Sequence, residues 1–212
     1  MVIFIMCLNS PLHIHFNSNL QVTKIFNYLI YMNVLIFGAG SIGNHLANAS
    51  RSLGWNVTIC DLDTAALERT KTQIYPQRYG AWDQSINLVH NDDRPTSNDI
   101  VIIGTPPKYH LPLANEVVSE SPQAILIEKP VSGINLEGAD ELLSKAVDNN
   151  VSLFVGYDHA LSESVTKSSS LLLSEDGLGE IQTLDVEFRE FWGGIFSAHP
   201  WLDGPSDTYL GF

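Results

Sequence analysis

"NVLIFGAGSIG", residues 33–43, sets an apolar run of strand length against three glycines and then against the start of a helical pattern. The run carries no charge and suits a strand buried on both faces. After it, Ile42, Leu46, Ala49 and Leu53 recur at helical spacing, and Gly54 stands where such a helix stops. The alternation continues along the chain. WNVTIC (55–60) reads as a second strand, residues 64–73 as a helix, DIVIIG (99–104) as a strand, residues 110–120 as a helix and AILI (124–127) as a strand. Leu136, Ala139, Leu143, Ala146 and Val147 share one helical face over 136–148, and VSLFVG (151–156) closes the series. Strands alternating with helices imply parallel pairing through right-handed crossovers, so the expected class is α/β with a doubly wound parallel sheet.

Gly38, Gly40 and Gly43 have the G-x-G-x-x-G spacing of the Rossmann dinucleotide fold, and here the motif both follows a strand and opens a helix. Gly38 permits the tight turn, Gly40 lets the backbone approach a pyrophosphate, and Gly43 lets helix and strand pack. The amides around Ser41 and Ile42 then face the phosphates, aided by the helix dipole. The motif calls for an acidic residue about 20 positions on, and Asp61 stands there after VTIC. Its carboxylate can accept from both hydroxyls of the adenosine ribose. With Asp63 close behind and no Arg or Lys between Gly43 and Arg69 except Arg51, a 2′-phosphate would meet negative charge, so NAD is favoured over NADP. A plainer reading makes Asp61 and Asp63 caps of the helix beginning near Thr64; it suits Asp63 better than Asp61.

Composition narrows the function classes. The 212 residues are 44% hydrophobic and 17% charged, which fits a folded globular chain. Eleven Lys+Arg against 24 Asp+Glu give a net charge of -13 with no basic block, which argues against nucleic-acid binding. Cys7 and Cys60 form neither a C-x-x-C pair nor a disulfide framework, so a reducing, cytoplasmic setting is expected. No His/Cys/Asp cluster has metal-ligand spacing, and no metal is expected. The apolar run VIFIMCL (2–8) is too short to span a bilayer and lacks the flanks of a signal peptide, so no membrane segment is expected. Clear patterning starts at Met32. The preferred reading is that translation begins there and that residues 1–31 are an upstream artefact, the alternative being a genuine extension.

Two further loops fall where ligands lie in open parallel sheets, outside the carboxyl ends of the strands. GTPPKYH (104–110) follows one strand, and Thr105 and Pro106 should border the cofactor; His110 either touches it or caps the next helix. Glu128, Lys129 and Pro130 follow AILI, beside the expected nicotinamide. An ammonium there can reach the nicotinamide ribose and a substrate hydroxyl together, and partial desolvation would suit it to proton transfer. The plainer alternative is a surface Lys paired with its neighbouring Glu.

GAGSIG, TPPKYH, EKPVSG and VGYDHALSESV, in this order, resemble the Gfo/Idh/MocA family of sugar and polyol oxidoreductases over about residues 32–212. The resemblance implies an NAD(P)-binding Rossmann domain at 32–156 and, from 157 to 212, the start of an α/β domain with a largely antiparallel sheet that holds substrate and builds homo-oligomers. It also implies a catalytic or substrate-positioning role for Lys129 and a place near the nicotinamide ribose for Glu128. The sequence departs from the family pattern at Asp158, Ala160, Leu161 and Glu163, which puts in doubt a contact the family makes from position 160. The family's later glycine-rich turn with its Asp and His has no counterpart before Phe212, and His199 lacks a matching motif, so a C-terminally truncated chain is expected. LGEIQTLDVEFREFWGG (178–194) reads as the first strand of the second domain. The expected function is hydride transfer between NAD and a hydroxyl-bearing carbon of a sugar, polyol or sugar-derived acid. The alternatives are a dinucleotide-binding redox sensor or scaffold without turnover, and an inactive fragment.

Overall fold

The computed structural model describes residues 6–7, 31–133, 135–157 and 162–173, together with 179–180, 182–183, 185, 187, 189 and 191–198. The chain divides into two compact units, Met1–Gly156 and Tyr157–Phe212.

The first unit is built on one sheet. Its strands are β1 (Met6–Cys7), β2 (Asn33–Phe37), β3 (Asn56–Asp61), β4 (Ile86–His90), β5 (Ile100–Ile103), β6 (Ala124–Glu128) and β7 (Ser152–Gly156), in the spatial order β1-β7-β6-β5-β2-β3-β4. β2 to β7 pair in parallel, and the two residues of β1 pair antiparallel with β7, Met6 opposite Val155. The helices are α1 (Ser41–Ser52), α2 (Thr64–Arg69), α3 (Tyr75–Tyr79), α4 (His110–Val117) and α5 (Ala139–Asp148).

Alternation along β2 shows why the sheet is covered twice. Val34 and Ile36 face a layer with Leu46 and Ala47 of α1 and Ala66 and Leu67 of α2. Leu35 and Phe37 face the opposite layer, with Leu111, Ala114 and Val117 of α4 and Leu142 and Ala146 of α5. All four β2 side chains are buried, so the strand reads as one unbroken apolar run rather than an alternating one. The chain leaves β2 toward β3 and β4 on one side and returns to β5, β6 and β7 on the other. The order therefore reverses between β2 and β5, and a crevice opens at their carboxyl ends.

Several local expectations need correction. β4 is a strand that the sequence reading passed over: it lies at the sheet edge, pairs only with β3, and buries Ile86 alone among its five residues, so no apolar run marks it. The helix expected to end at residue 73 continues to Tyr79 through one wider, π-type turn at Thr70–Ile74, and Pro76 is accommodated in the first turn after it. On α5 the buried residues are Leu142 and Ala146, with Ala139 packed against the same core; Leu136, Leu143 and Val147 are exposed. The apolar positions fit two overlapping faces, and only packing against α4 selects one.

The second unit contains α6 (Glu163–Leu173) and α7 (Trp192–Ala198) among its described residues. The strand expected over 178–194 is corrected at its end, where Trp192, Gly193 and Gly194 are helical; two successive glycines have little strand preference to resist the turn. The rest of that segment shows no strand among its described residues, and the antiparallel sheet expected of this unit is not among them. Asp158, Ala160, Leu161 and His199 lie outside the described residues.

Candidate functional site

The crevice between β2 and β5 is bordered by two loops that touch. Gly38 has φ +101°, and a Cβ on it would come within 2.8 Å of the Gly104 carbonyl oxygen. The Gly104 amide donates to the Phe37 carbonyl at 2.9 Å, so the loop after β5 is laced to the end of β2. Gly43 is more tightly held: a Cβ there would lie 2.0 Å from the Gly38 carbonyl oxygen. Gly40 is different in kind. Its backbone is extended, at φ -85° and ψ -165°, and a Cβ on it would meet nothing within 4 Å. Neither conformation nor the protein's own packing demands glycine at that position, which leaves room for a ligand as the physical use of the missing side chain.

The start of α1 is open in the same way. Gly40 precedes it without a side-chain cap, and no acidic residue lies in its first turn. The amides there are thus available to an anion, and the helix dipole favours one. Across the crevice, Thr105 Oγ1 is buried and makes no hydrogen bond among the described residues, a polar group that needs a partner. These features fit the pyrophosphate and neighbouring groups of a dinucleotide. Alanine at Gly40 meets nothing, but a larger side chain fills the space. Gly40→Val is therefore expected to leave the melting temperature near wild type and to weaken NADH binding by about tenfold or more, read by nicotinamide fluorescence.

Asp61 ends β3. Its Oδ2 accepts from the Ala39 amide at 2.8 Å, and its Oδ1 accepts from the Asp63 amide at 2.9 Å. The carboxylate is thereby oriented at the rim of the glycine loop, each oxygen keeping a lone pair for a ribose hydroxyl. Asp63 caps α2 by accepting from the Ala65 amide at 2.9 Å, which is the plainer of its two readings. Cys60, next to Asp61, is buried, and burial pushes its thiol up to about 12, so it is no nucleophile.

His110 begins α4 and is buried between two loops. Its ring is 1% exposed, with Nδ1 2.8 Å from the Pro130 carbonyl and Nε2 2.6 Å from the Thr105 carbonyl. It braces the loop after β5 against the loop after β6. Burial holds its pKa below the ordinary value, the carbonyls opposing that only in part. The neutral ring has one N–H to donate between the two carbonyls.

Glu128 and Lys129 stand at the carboxyl end of β6, on the same edge of the sheet as the glycine loop. Lys129 is exposed, and its bond to Pro130 is cis. Among the described residues no carboxylate holds its ammonium. Glu128 is 9% exposed and lies against Gly156, its register partner on β7: a Cβ at Gly156 would fall 2.6 Å from Glu128 Oε1. The carboxylate thus occupies the volume that a larger residue at 156 would take.

The groups beneath the glycine loop carry no signature in the sequence. Asn44 and Thr70 are both fully buried. Asn44 Nδ2 donates to the Gly40 carbonyl at 2.7 Å and to Thr70 Oγ1 at 3.2 Å, and the Thr70 hydroxyl donates to the Ala39 carbonyl. Together they turn these carbonyls inward. Arg78 reaches the loop from the outside, on Ser41. Neither Thr70 nor Arg78 belongs to a spacing rule, because each arrives through the π-type turn and the extra length of the helical run. No group of three His, Cys, Asp or Glu residues suited to a metal ion occurs among the described residues, and none of their helices is long and apolar enough to cross a membrane.

Three solved structures share the fold. UDP-N-acetylglucosamine 3-dehydrogenase GnnA from Acidithiobacillus ferrooxidans is 20% identical with a TM-score of 0.53, over 66% of this chain and 42% of its own. The WlbA dehydrogenase from Chromobacterium violaceum, solved with NADH and UDP-GlcNAcA, is 21% identical with a TM-score of 0.52, over 68% and 41%. A levoglucosan dehydrogenase complex with NADH is 17% identical with a TM-score of 0.51, over 67% and 40%. The match thus spans about two fifths of each of these proteins. No curated protein sequence matches the chain. The family model for Gfo/Idh/MocA, described as an oxidoreductase family with an NAD-binding Rossmann fold, matches residues 32–157. With the open glycine loop, Asp61 at its rim and this match over more than half its length, the chain belongs to the Gfo/Idh/MocA family of NAD-binding oxidoreductases.

Proposed function

We propose that this chain carries the cofactor half of a dehydrogenase that moves a hydride between NAD and a hydroxyl-bearing carbon of a sugar, polyol or sugar-derived acid. The observation that carries the reading is Lys129, an exposed ammonium at the carboxyl edge of the sheet, two strands from the glycine loop. Bound NAD would supply the acceptor for the hydride that the substrate loses in the oxidative direction. The Lys129 ammonium would donate a hydrogen bond to the substrate oxygen and favour loss of its O–H proton to solvent water as the carbonyl forms. The chain would hold NAD through Gly38, Gly40, Ser41, Ile42, Gly43 and Asp61, with Thr105, Pro106 and Glu128 toward its nicotinamide end.

Residues from 157 onward are part of the same proposal, as the beginning of a substrate-holding domain that also supports a homo-oligomer in the cytoplasm. UDP-sugars belong in the substrate panel because the GnnA and WlbA structures are named for such compounds. The test is NAD reduction, followed by nicotinamide absorbance, over sugars, polyols, sugar acids and UDP-sugars. Turnover with one of these classes is expected, and NADH binding without turnover on any of them would favour the sensor reading.

A further inference from the structure

The chain carries far more acid than base, and a dinucleotide brings two more negative charges to an edge where Asp61 and Asp63 already stand. An anion there calls for a nearby cation that is not already neutralised. Among the described cations of the first unit, Arg51 pairs with Asp83, Arg94 with Glu116 and Glu120, and Lys145 with Glu141, whereas Arg69, Lys71, Arg78, Lys108 and Lys129 have no carboxylate partner among the described residues. Of these unpaired cations, Arg78 is hydrogen-bonded to the start of α1 at the glycine loop. Its Nη1 donates to the Ser41 carbonyl and its Nη2 to Ser41 Oγ, both at 2.7 Å, and among the described residues it contacts no carboxylate. Its charge is held by neutral oxygens and stays unbalanced.

Ser41 is the first residue of α1 and follows Gly40, whose open side marks the pyrophosphate cradle. The guanidinium is therefore fixed at the helix end that already carries partial positive charge. A mere tether between helices would not require a cation at this point. The same two helical segments are already joined by neutral pairs, Tyr75 to Asn48 and Tyr79 to His45. The fork also has N–H donors beyond the two bound to Ser41.

We infer that Arg78, docked on Ser41 at the start of α1, is the cation that balances the cofactor's pyrophosphate. The inference rests on the NAD-binding reading of the glycine loop. It assigns a binding role to a residue outside the strand-end motifs, reached because the helical run extends to Tyr79.

The test uses the full chain and direct binding. NADH, ADP-ribose and adenosine are titrated between about 20 and about 300 mM salt. The proteins are wild type, Arg78→Gln, Arg78→Lys and Lys71→Gln, the last removing an equal charge from an exposed site on the same helical run. Arg78→Gln is expected to weaken NADH and ADP-ribose about fivefold at low salt, to flatten their salt dependence and to leave adenosine unchanged. Arg78→Lys should keep most of the salt dependence, and Lys71→Gln should match wild type. If wild type binds NADH and Arg78→Gln binds it equally, with the same salt dependence, this inference fails and the cofactor reading stands. Equal weakening of adenosine also overturns it, since that marks a distorted site rather than a lost charge. If wild type binds no NADH, both readings fall together.

Discussion

Alanine in place of Gly43 is expected to lower NADH affinity on the order of 100-fold and to destabilise the first unit at the same time. The new methyl would lie 2.0 Å from the Gly38 carbonyl oxygen and 3.2 Å from its carbon, and both are backbone atoms with no rotamer to yield. Either α1 lifts from β2 or the glycine loop opens. Overpacking of this kind costs about 1–3 kcal/mol. In a chain of this size that corresponds to a melting temperature lower by roughly 3–10 °C. The larger effect falls on binding, because the amides of Ser41 and Ile42 move with the helix and a misplacement of about 1 Å can cost about 100-fold. Circular-dichroism melting and NADH titration read the two effects separately. The contrast with Gly40→Val is diagnostic: there, affinity falls while stability holds. Wild-type affinity in Gly43→Ala would show that the start of α1 does not hold the phosphates.

Lys129→Ala is expected to reduce kcat by about 100- to 10,000-fold, the range of a positioned acid–base group, while changing NADH affinity little. The side chain is exposed and pairs with no carboxylate among the described residues, so its removal leaves no buried group stranded and the fold should hold. A deuterated substrate sharpens the reading. If loss of the lysine makes departure of the O–H proton limiting, the isotope effect on the hydride shrinks, whereas loss of substrate positioning alone keeps it and raises KM. A redox sensor has no use for an ammonium at this strand end, and its NADH response would be the same with alanine there. Unchanged kcat in Lys129→Ala would remove this residue from the mechanism and leave the NAD-binding assignment intact.

Much of this was legible in the sequence, for identifiable reasons. NVLIFG, DIVIIG and AILI are strands buried on both faces, and burial on both faces writes an uninterrupted apolar run. The glycine spacing is legible because its constraints are local: a turn, a close helix–strand approach and an open cradle lie within six residues of one another. β4 was illegible because an edge strand with one partner needs no such run. The inward face of α5 was ambiguous because Leu136, Leu143 and Val147 satisfy helical spacing as well as the buried Leu142 and Ala146 do.

By itself, then, the sequence determined the alternating α/β plan, the position of the glycine loop and the place of Asp61 at the end of the next strand, all set within one βαβ unit. Tertiary structure alone decided what surrounds them. His110 turned out to be a brace between two loops because both of its nitrogens face carbonyls, one of them 20 residues away at Pro130. Thr70 and Arg78 reach the cofactor loop 31 and 37 residues from their partners. Gly156 keeps Glu128 in place only because β6 and β7 pair in that register. Contacts that close over such distances depend on how whole elements pack, and no spacing of residue types along the chain encodes them.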